Sequence, residues 1–176
     1  VGGRRHLAMV PQTQAERMIW PSPLTEAVPI LLRWEGRRVV VLASGDPFFF
    51  GIGATLARYV PMQNILCLPQ PSAFSLAAAR LGWPLQECRL LSLHGRPLEM
   101  VGPHLQPGAR LLALSWDDKT PGKLAQLLVE RGCERSLLTV LERMGGADER
   151  SRTTSAQNFT MSEIDALNTL AVEIVA

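Results

Sequence analysis

Residues 39–60 read VVVLASGDPFFFGIGATLARYV. This is an apolar run that stops at Ser44-Gly45-Asp46-Pro47 and restarts, after three phenylalanines and two glycines, with helical spacing. Arg38–Ser44 predicts a buried strand and Ile52–Tyr59 a helix. Ligands of an open α/β sheet bind outside the carboxyl ends of its strands, so Gly45-Asp46-Pro47 stands where a ligand would. Gly45 permits close backbone approach, Pro47 fixes the chain direction, and Gly51 and Gly53 keep side chains away from whatever lies across the turn. A plain strand-to-helix connection packed by aromatics accounts for the same residues equally well. Two nucleotide motifs fail. Gly51-Ile52-Gly53-Ala54-Thr55-Leu56 has leucine where the dinucleotide fingerprint needs its third glycine, and Gly122-Lys123 is followed by Leu124 where a phosphate loop needs Ser or Thr.

Outward from this stretch the chain alternates strand-like and helical patterns, which predicts an α/β fold. Ile65–Leu68 reads as a strand ended by Pro69. Ser72 is placed to cap a helix over Ala73–Leu81, with Gly82 to stop it and Trp83-Pro84 to prevent its continuation. Arg89–Leu93 and Arg110–Trp116 read as strands on either side of a Pro- and Gly-punctuated connection, Gly95–Gly108. Thr120 is expected to cap a further helix with Pro121 in its first turn, and Leu124, Leu127 and Leu128 give that helix one apolar face up to Gly132. Ser136–Leu141 and Leu170–Val175 complete the strands. One α/β pattern closes and another opens near Trp83–Glu87, which predicts two lobes, residues 1–86 and 87–176.

With 176 residues, 47% of them hydrophobic, the chain has enough apolar surface for a folded core. A formal charge of +2 is too small and dispersed for a nucleic-acid partner. Arg4-Arg5, Arg37-Arg38 and Arg150/Arg152 are placed to meet an acidic small molecule or simply to face water. The three cysteines, Cys67, Cys88 and Cys133, are far apart and odd in number, as in a reducing cytoplasm, and suggest neither a disulfide framework nor a zinc site. No run of about 18 apolar residues predicts a membrane span, and the first residues lack the apolar core of a signal peptide. The expected setting is the cytoplasm.

Five blocks, in order, carry a family resemblance: SGDPFFFGIG (44–53), PSAFSLAAARLGWP (71–84), LSLHGRP (91–97), LLALSWDDKTPGKLAQLL (111–128) and VLERMGGADERSRTTSA (140–156). The first resembles the Gly-Asp-Pro signature loop of the tetrapyrrole methylase family. Together they are similar to its branch of precorrin-6Y and cobalt-precorrin-7 C5-methyltransferases. The resemblance implies a two-lobed fold with an S-adenosylmethionine cleft between two α/β domains, methylation of C5 of a precorrin in cobalamin biosynthesis, and a homodimer. The family's opening strand and glycine-rich turn are expected to be missing, because Val1–Leu7 resembles the end of its second strand. The domain that methylates C15 and decarboxylates in bifunctional relatives is likewise expected not to be represented. Gln70 stands where a glycine is common in the wider family.

Carried over residue by residue, the resemblance implies cofactor binding by Gly45, Asp46, Pro47 and Phe48, by Ser72 and Ala73, and by Trp116, Asp117 and Thr120. Ser72 and Thr120 are also accounted for as helix caps. His94 and Arg96 are the candidates for proton acceptor and substrate-carboxylate grip, because imidazole titrates near neutrality and guanidinium binds carboxylate at two points. A hydrogen-bonded turn histidine fits the same pattern. Met144-Gly145-Gly146 reads as cleft lining or core filler, and Glu142-Arg143 and Glu149-Arg150 as an ion-paired surface. Two further classes remain open: a non-catalytic S-adenosylmethionine- or tetrapyrrole-binding module, and a Rossmann-type oxidoreductase, against which the glycine placement argues.

Overall fold

The computed structural model describes residues 1–175, the side chain of Leu24 excepted; Ala176, the end of the second lobe as read from the sequence, lies outside them. The chain forms two compact units that part between Ser72 and Ala73.

The second unit is built on a five-stranded sheet of β1 (Cys88–Ser92), β2 (Arg110–Leu114), β3 (Leu137–Glu142), β4 (Arg150–Ser155) and β5 (Asn168–Glu173), in the order β1-β2-β5-β3-β4. β1 and β2 are parallel, while β5 is antiparallel to both β2 and β3, and β4 is antiparallel to β3. β1, β2 and β3 therefore point the same way, and β4 and β5 begin at the edge where those three end.

Alternation along the strands builds two cores. Leu111, Ala113, Leu138, Val140, Leu170 and Val172 face one side, where they bury Leu124, Ala125, Leu127 and Leu128 of α5 (Thr120–Glu130). Leu112, Leu141 and Ala171 face the other side, against Phe74, Ala77 and Ala78 of α4 (Ala73–Leu81). A period of two in the strands and three to four in the helices is what each element needs to present one apolar face. Each fully buried leucine contributes about 1.5–3 kcal/mol. α4 ends as its sequence predicts: Gly82 takes a φ of 65° and the Trp83 N–H donates to the Ala78 carbonyl at 3.0 Å.

Apart from shifts of a few residues at strand ends, the division between the units and one strand differ from the sequence pattern. α4 buries its apolar face on the second unit's sheet, so the units part before it and not at residues 86/87. β4, RSRTTS, has no apolar alternation to announce it, because it is a mostly exposed edge strand that pairs only with β3.

The first unit contains three short helices, α1 (Arg4–Met9), α2 (Val28–Leu32) and α3 (Ile52–Leu56), and an isolated parallel bridge between Gly2 and Ile19. α1 occupies part of Val1–Leu7, which the sequence likened to the end of a strand. α3 is shorter than Ile52–Tyr59 because the chain turns at Leu56, whose carbonyl receives both the Tyr59 and Val60 N–H groups at 2.9 Å. The two expected strands are extended but form no ladder among the described residues. For Arg38–Ser44 the backbone bonds run to Val1, from the Val1 amine to the Val40 carbonyl at 2.8 Å and from the Leu42 N–H to the Val1 carbonyl at 2.8 Å. Val40 is 71% exposed, and Leu66 and Leu68 of the 65–68 run are 86% and 72% exposed. No described helix is long and apolar enough to cross a membrane.

Candidate active site

In the first unit, the Gly45–Gly53 loop is a turn folded onto its own backbone. Asp46 closes it at the start: its Oδ1 accepts the Phe48 N–H at 2.8 Å, and its carbonyl accepts the Phe49 N–H at 3.1 Å. Pro47 then becomes the pivot, its carbonyl accepting the Gly53 N–H at 2.7 Å. A β-carbon on Gly51 or Gly53 would stand 2.5 or 2.7 Å from that carbonyl oxygen. What lies across from these two glycines is therefore the loop itself. Gly45 has a φ of 56°, and a β-carbon there would meet the Pro71 carbonyl at 3.0 Å and Ser72 Cα at 3.1 Å. The Gln70 N–H donates to the Gly45 carbonyl at 3.1 Å. Gly45 and Ser72 are thus brought together from positions 27 apart in the sequence, and Ala73 follows as the first residue of α4. Phe48 stays 38% exposed.

In the second unit, the predicted residues collect along the edge where β1, β2 and β3 end. His94 and Arg96 follow β1. The Leu93 N–H donates to the Leu114 carbonyl at 2.9 Å, which carries the β1–β2 register one step further and sets His94 beside Trp116 with ring centroids 6.2 Å apart. Gly95 turns the chain with a φ of 67°, and the Arg96 N–H closes the turn on the Leu93 carbonyl at 3.2 Å. His94 and Arg96 are exposed, and Trp116 is 57% exposed.

The loop after β2 is locked by Asp117 and Thr120. Asp117 Oδ1 accepts the Thr120 hydroxyl at 2.7 Å, the Thr120 N–H at 2.8 Å and the Lys119 N–H at 3.1 Å. The Thr120 oxygen in turn accepts the N–H groups of Asp117 at 3.2 Å and Trp116 at 3.3 Å. Asp117, and not Thr120, is the residue that caps α5. Thr120 is the first residue of the helix, and its hydroxyl proton and both lone pairs are engaged within the loop. The Thr120 hydroxyl is the chief cause holding the Asp117 carboxyl below its ordinary acidity range, opposed by partial burial and assisted by the two backbone N–H groups. Trp116 is the exposed member of the trio.

Sequence reasoning did not single out Asn168. It opens β5 at this edge, 8% exposed, and its amide donates to the Asp117 carbonyl at 3.2 Å and the Asp165 carbonyl at 2.8 Å, tying the loop to the sheet. A polar amide at the head of an apolar strand is the signal that would have found it. Glu142 is also at this edge. It is 1% exposed, so it is no surface residue, and its partners lie on β4 and just before β5: Arg150 at 2.8 Å, Arg152 at 3.2 Å and the Asp165 N–H at 2.8 Å. Burial pushes the Glu142 pKa up, but the Arg150 hydrogen bond, the Asp165 N–H and the Arg152 charge outweigh it, and the net pKa lies below the ordinary carboxylate range. Arg143 pairs with Asp165 and Asp148, and Glu149 with Arg80. The adjacent pairs read from the sequence are real ion pairs with other partners.

The comparisons with known proteins agree with this architecture. Residues 14–160 match the family described as Tetrapyrrole (Corrin/Porphyrin) Methylases. The chain is 51% identical over 176 residues to a precorrin-6Y C(5,15)-methyltransferase [decarboxylating] of Sinorhizobium sp, covering 99% of this chain and 43% of that protein. It is 33% identical over 156 residues to a cobalt-precorrin-7 C(5)-methyltransferase of Salmonella typhimurium, covering 85% of this chain and 73% of the other. A solved uroporphyrin-III C-methyl transferase of Thermus thermophilus, complexed with S-adenyl homocysteine, superposes with a TM-score of 0.74 at 20% identity, covering 98% of this chain and 84% of that one, which shows the shared fold. The chain spans less than half the length of the first of these relatives. By the length and quality of these matches, and with its two-lobed α/β fold, the chain belongs to the tetrapyrrole methylase family.

Proposed function

We propose that this chain carries the S-adenosylmethionine-dependent methylation of C5 of a precorrin in cobalamin biosynthesis, acting as a homodimer. One observation carries the choice of carbon. The chain aligns with 43% of a long relative named for C5 and C15 methylation with decarboxylation, and with 73% of a relative named for C5 alone. C5 is what the two names share.

The residues fit such a methyl donor. Phe48 on the signature loop and Trp116 at the sheet edge are exposed aromatic faces of the kind an adenine ring or a methionine chain packs on. Asp46 and Asp117 are carboxylates suited to a sulfonium's charge. When bound, S-adenosylmethionine supplies an electrophilic methyl carbon. The protein's work is then to hold donor and ring carbon in line, and no side-chain nucleophile is called for. Within the second unit, the Asp117–Thr120 lock would hold the loop that carries Trp116, while Arg96 would hold a substrate carboxylate.

The test is calorimetry of the protein against S-adenosylhomocysteine and NAD, followed by mass spectrometry of a precorrin incubated with S-adenosylmethionine. Binding of S-adenosylhomocysteine alone, with gain of one methyl at C5 and no loss of carbon dioxide, is the expected result. NAD binding would return the oxidoreductase reading, and binding without transfer would return the non-catalytic module.

A further inference from the structure

Beside the signature loop stands a polar pair that the reading above does not use. His6 lies on α1 and Ser44 is the last residue before Gly45. His6 Nε2 and Ser44 Oγ are 2.7 Å apart across 38 positions of sequence. Arg5 Nη2 donates to the same Ser44 oxygen at 3.2 Å and lies 3.4 Å from His6 Nε2. A guanidinium can only donate, and Arg5 Nη2 faces both the Ser44 oxygen and His6 Nε2, so a lone pair on Nε2, with the ring's hydrogen on Nδ1, suits both neighbours. In that tautomer the Ser44 hydroxyl donates to Nε2. Partial burial, and after it the Arg5 charge, hold the His6 pKa below its ordinary value, which favours the neutral ring at pH 7. A hydroxyl aimed at a neutral imidazole is an arrangement for moving a proton. A polar tether between α1 and the 38–44 run would not require a titratable ring.

Building on the proposed function, we propose that Ser44 and His6 accept the proton that methylation of the ring carbon releases. The reaction requires one to leave. As the methyl carbon bonds to a ring carbon bearing hydrogen, the C–S electron pair departs with sulfur and a π pair of the ring forms the new C–C bond. The C–H pair then restores conjugation as its proton passes to Ser44 Oγ, whose own proton passes to His6 Nε2. Sulfonium and C–H become thioether, C–CH3 and an imidazolium. Arg5, cationic beside that imidazolium, favours its release of the proton to water before the next turnover. This assigns to His6 the role that the sequence pattern offered to His94, whose ring stands against Trp116 at the other unit's sheet edge.

The test uses the full natural chain, with His6→Gln, Ser44→Ala and Ser44→Thr. S-adenosylhomocysteine affinity by calorimetry and the melting temperature serve as controls on binding and folding. The single-turnover rate constant for methyl transfer is measured across pH 5–9. Proton transfer of this kind is worth about 100-fold or more. We expect His6→Gln and Ser44→Ala to lose about that factor with affinity within about twofold of wild type, Ser44→Thr to recover most of it, and the fall in wild-type rate on the acid side to vanish in His6→Gln. A His6→Gln rate within about threefold of wild type, with the acid limb intact, overturns the pair while leaving the proposed function standing. Wild-type protein that fails to bind S-adenosylhomocysteine, or binds it without transferring methyl, overturns the proposed function and the pair with it.

Discussion

Two apolar runs of similar composition meet different fates in the two units. Arg110–Leu114 lies between β1 and β5, with Leu111 and Leu112 at 1% and 0% exposure under helices on opposite faces. Arg38–Ser44 is as extended, yet among the described residues its backbone bonds go to Val1, and its Val40 stays 71% exposed. A strand is a property of a pair, so β-branched composition supplies the willingness and a neighbour supplies the ladder. The second unit's stability comes from burial on two faces. The first unit holds its shape near the loop by short-range backbone bonds and glycine contacts, and folding free energy should be distributed accordingly.

The sharpest way to break this comparison is to truncate one leucine in each unit. Leu170→Ala, at 0% exposure in the central β5, should cost about 2–5 kcal/mol in urea unfolding, while Leu66→Ala, at 86% exposure, should stay within about 0.5 kcal/mol. Equal losses would mean that the 65–68 run is buried as a strand. Native-state hydrogen exchange should agree, with amides of β2, β3 and β5 slow and those of 38–44 and 65–68 fast.

Next in size is the buried carboxylate. Glu142→Gln should cost about 2–4 kcal/mol, somewhat less than a fully buried pair because Arg150 is half-exposed. The folded pKa of Glu142 lies below its ordinary value of 4.5, so its stabilisation is full above that value and is lost as pH falls through the lowered one. Acid unfolding of the wild type should accordingly be steeper than that of Glu142→Gln, and parallel curves would remove Glu142 from the second unit's advantage.

Gly45→Val tests whether the loop is held by its backbone. A branched residue at a φ of 56° with 3.0 Å to the Pro71 carbonyl should cost about 1–3 kcal/mol, combining left-handed strain with the contact. It should speed exchange in 44–53 and weaken S-adenosylhomocysteine binding measured by calorimetry, so lost affinity in this variant reports loop geometry as well as ligand approach. A smaller effect than that of Gly45→Val is expected for Thr120→Ala, about 1 kcal/mol in urea unfolding, because the Asp117 carboxylate still caps α5 through the backbone N–H groups. A loss larger than that of Gly45→Val would reverse the ranking of the two loops.

Much of this protein was legible in its residues because the determining interactions are local. α4 and its stop at Gly82, the apolar face of α5 at Leu124, Leu127 and Leu128, the runs that became β1, β2, β3 and β5, and the turn at Gly45-Asp46-Pro47 follow from periodicity and from what glycine and proline do to a backbone. The five ordered blocks carried the family as well. What the residues could not reveal depends on partners distant in the chain. Only the tertiary structure decided that, among the described residues, 38–44 and 65–68 join no ladder while 110–114 joins two. It also decided that polar 150–155 is recruited as an edge strand by β3, and that α4 buries its face on the second sheet. The cap of α5 passes to Asp117, three residues before the expected threonine, because the carboxylate reaches the Thr120 N–H and the threonine hydroxyl is turned back to the Trp116 and Asp117 N–H groups. Glu142 finds Arg150 across the β3–β4 pair, and His6 on α1 finds Ser44 across 38 positions: the pattern that marks a polar side chain does not name its partner, which is chosen by how strands, helices and loops come to lie side by side.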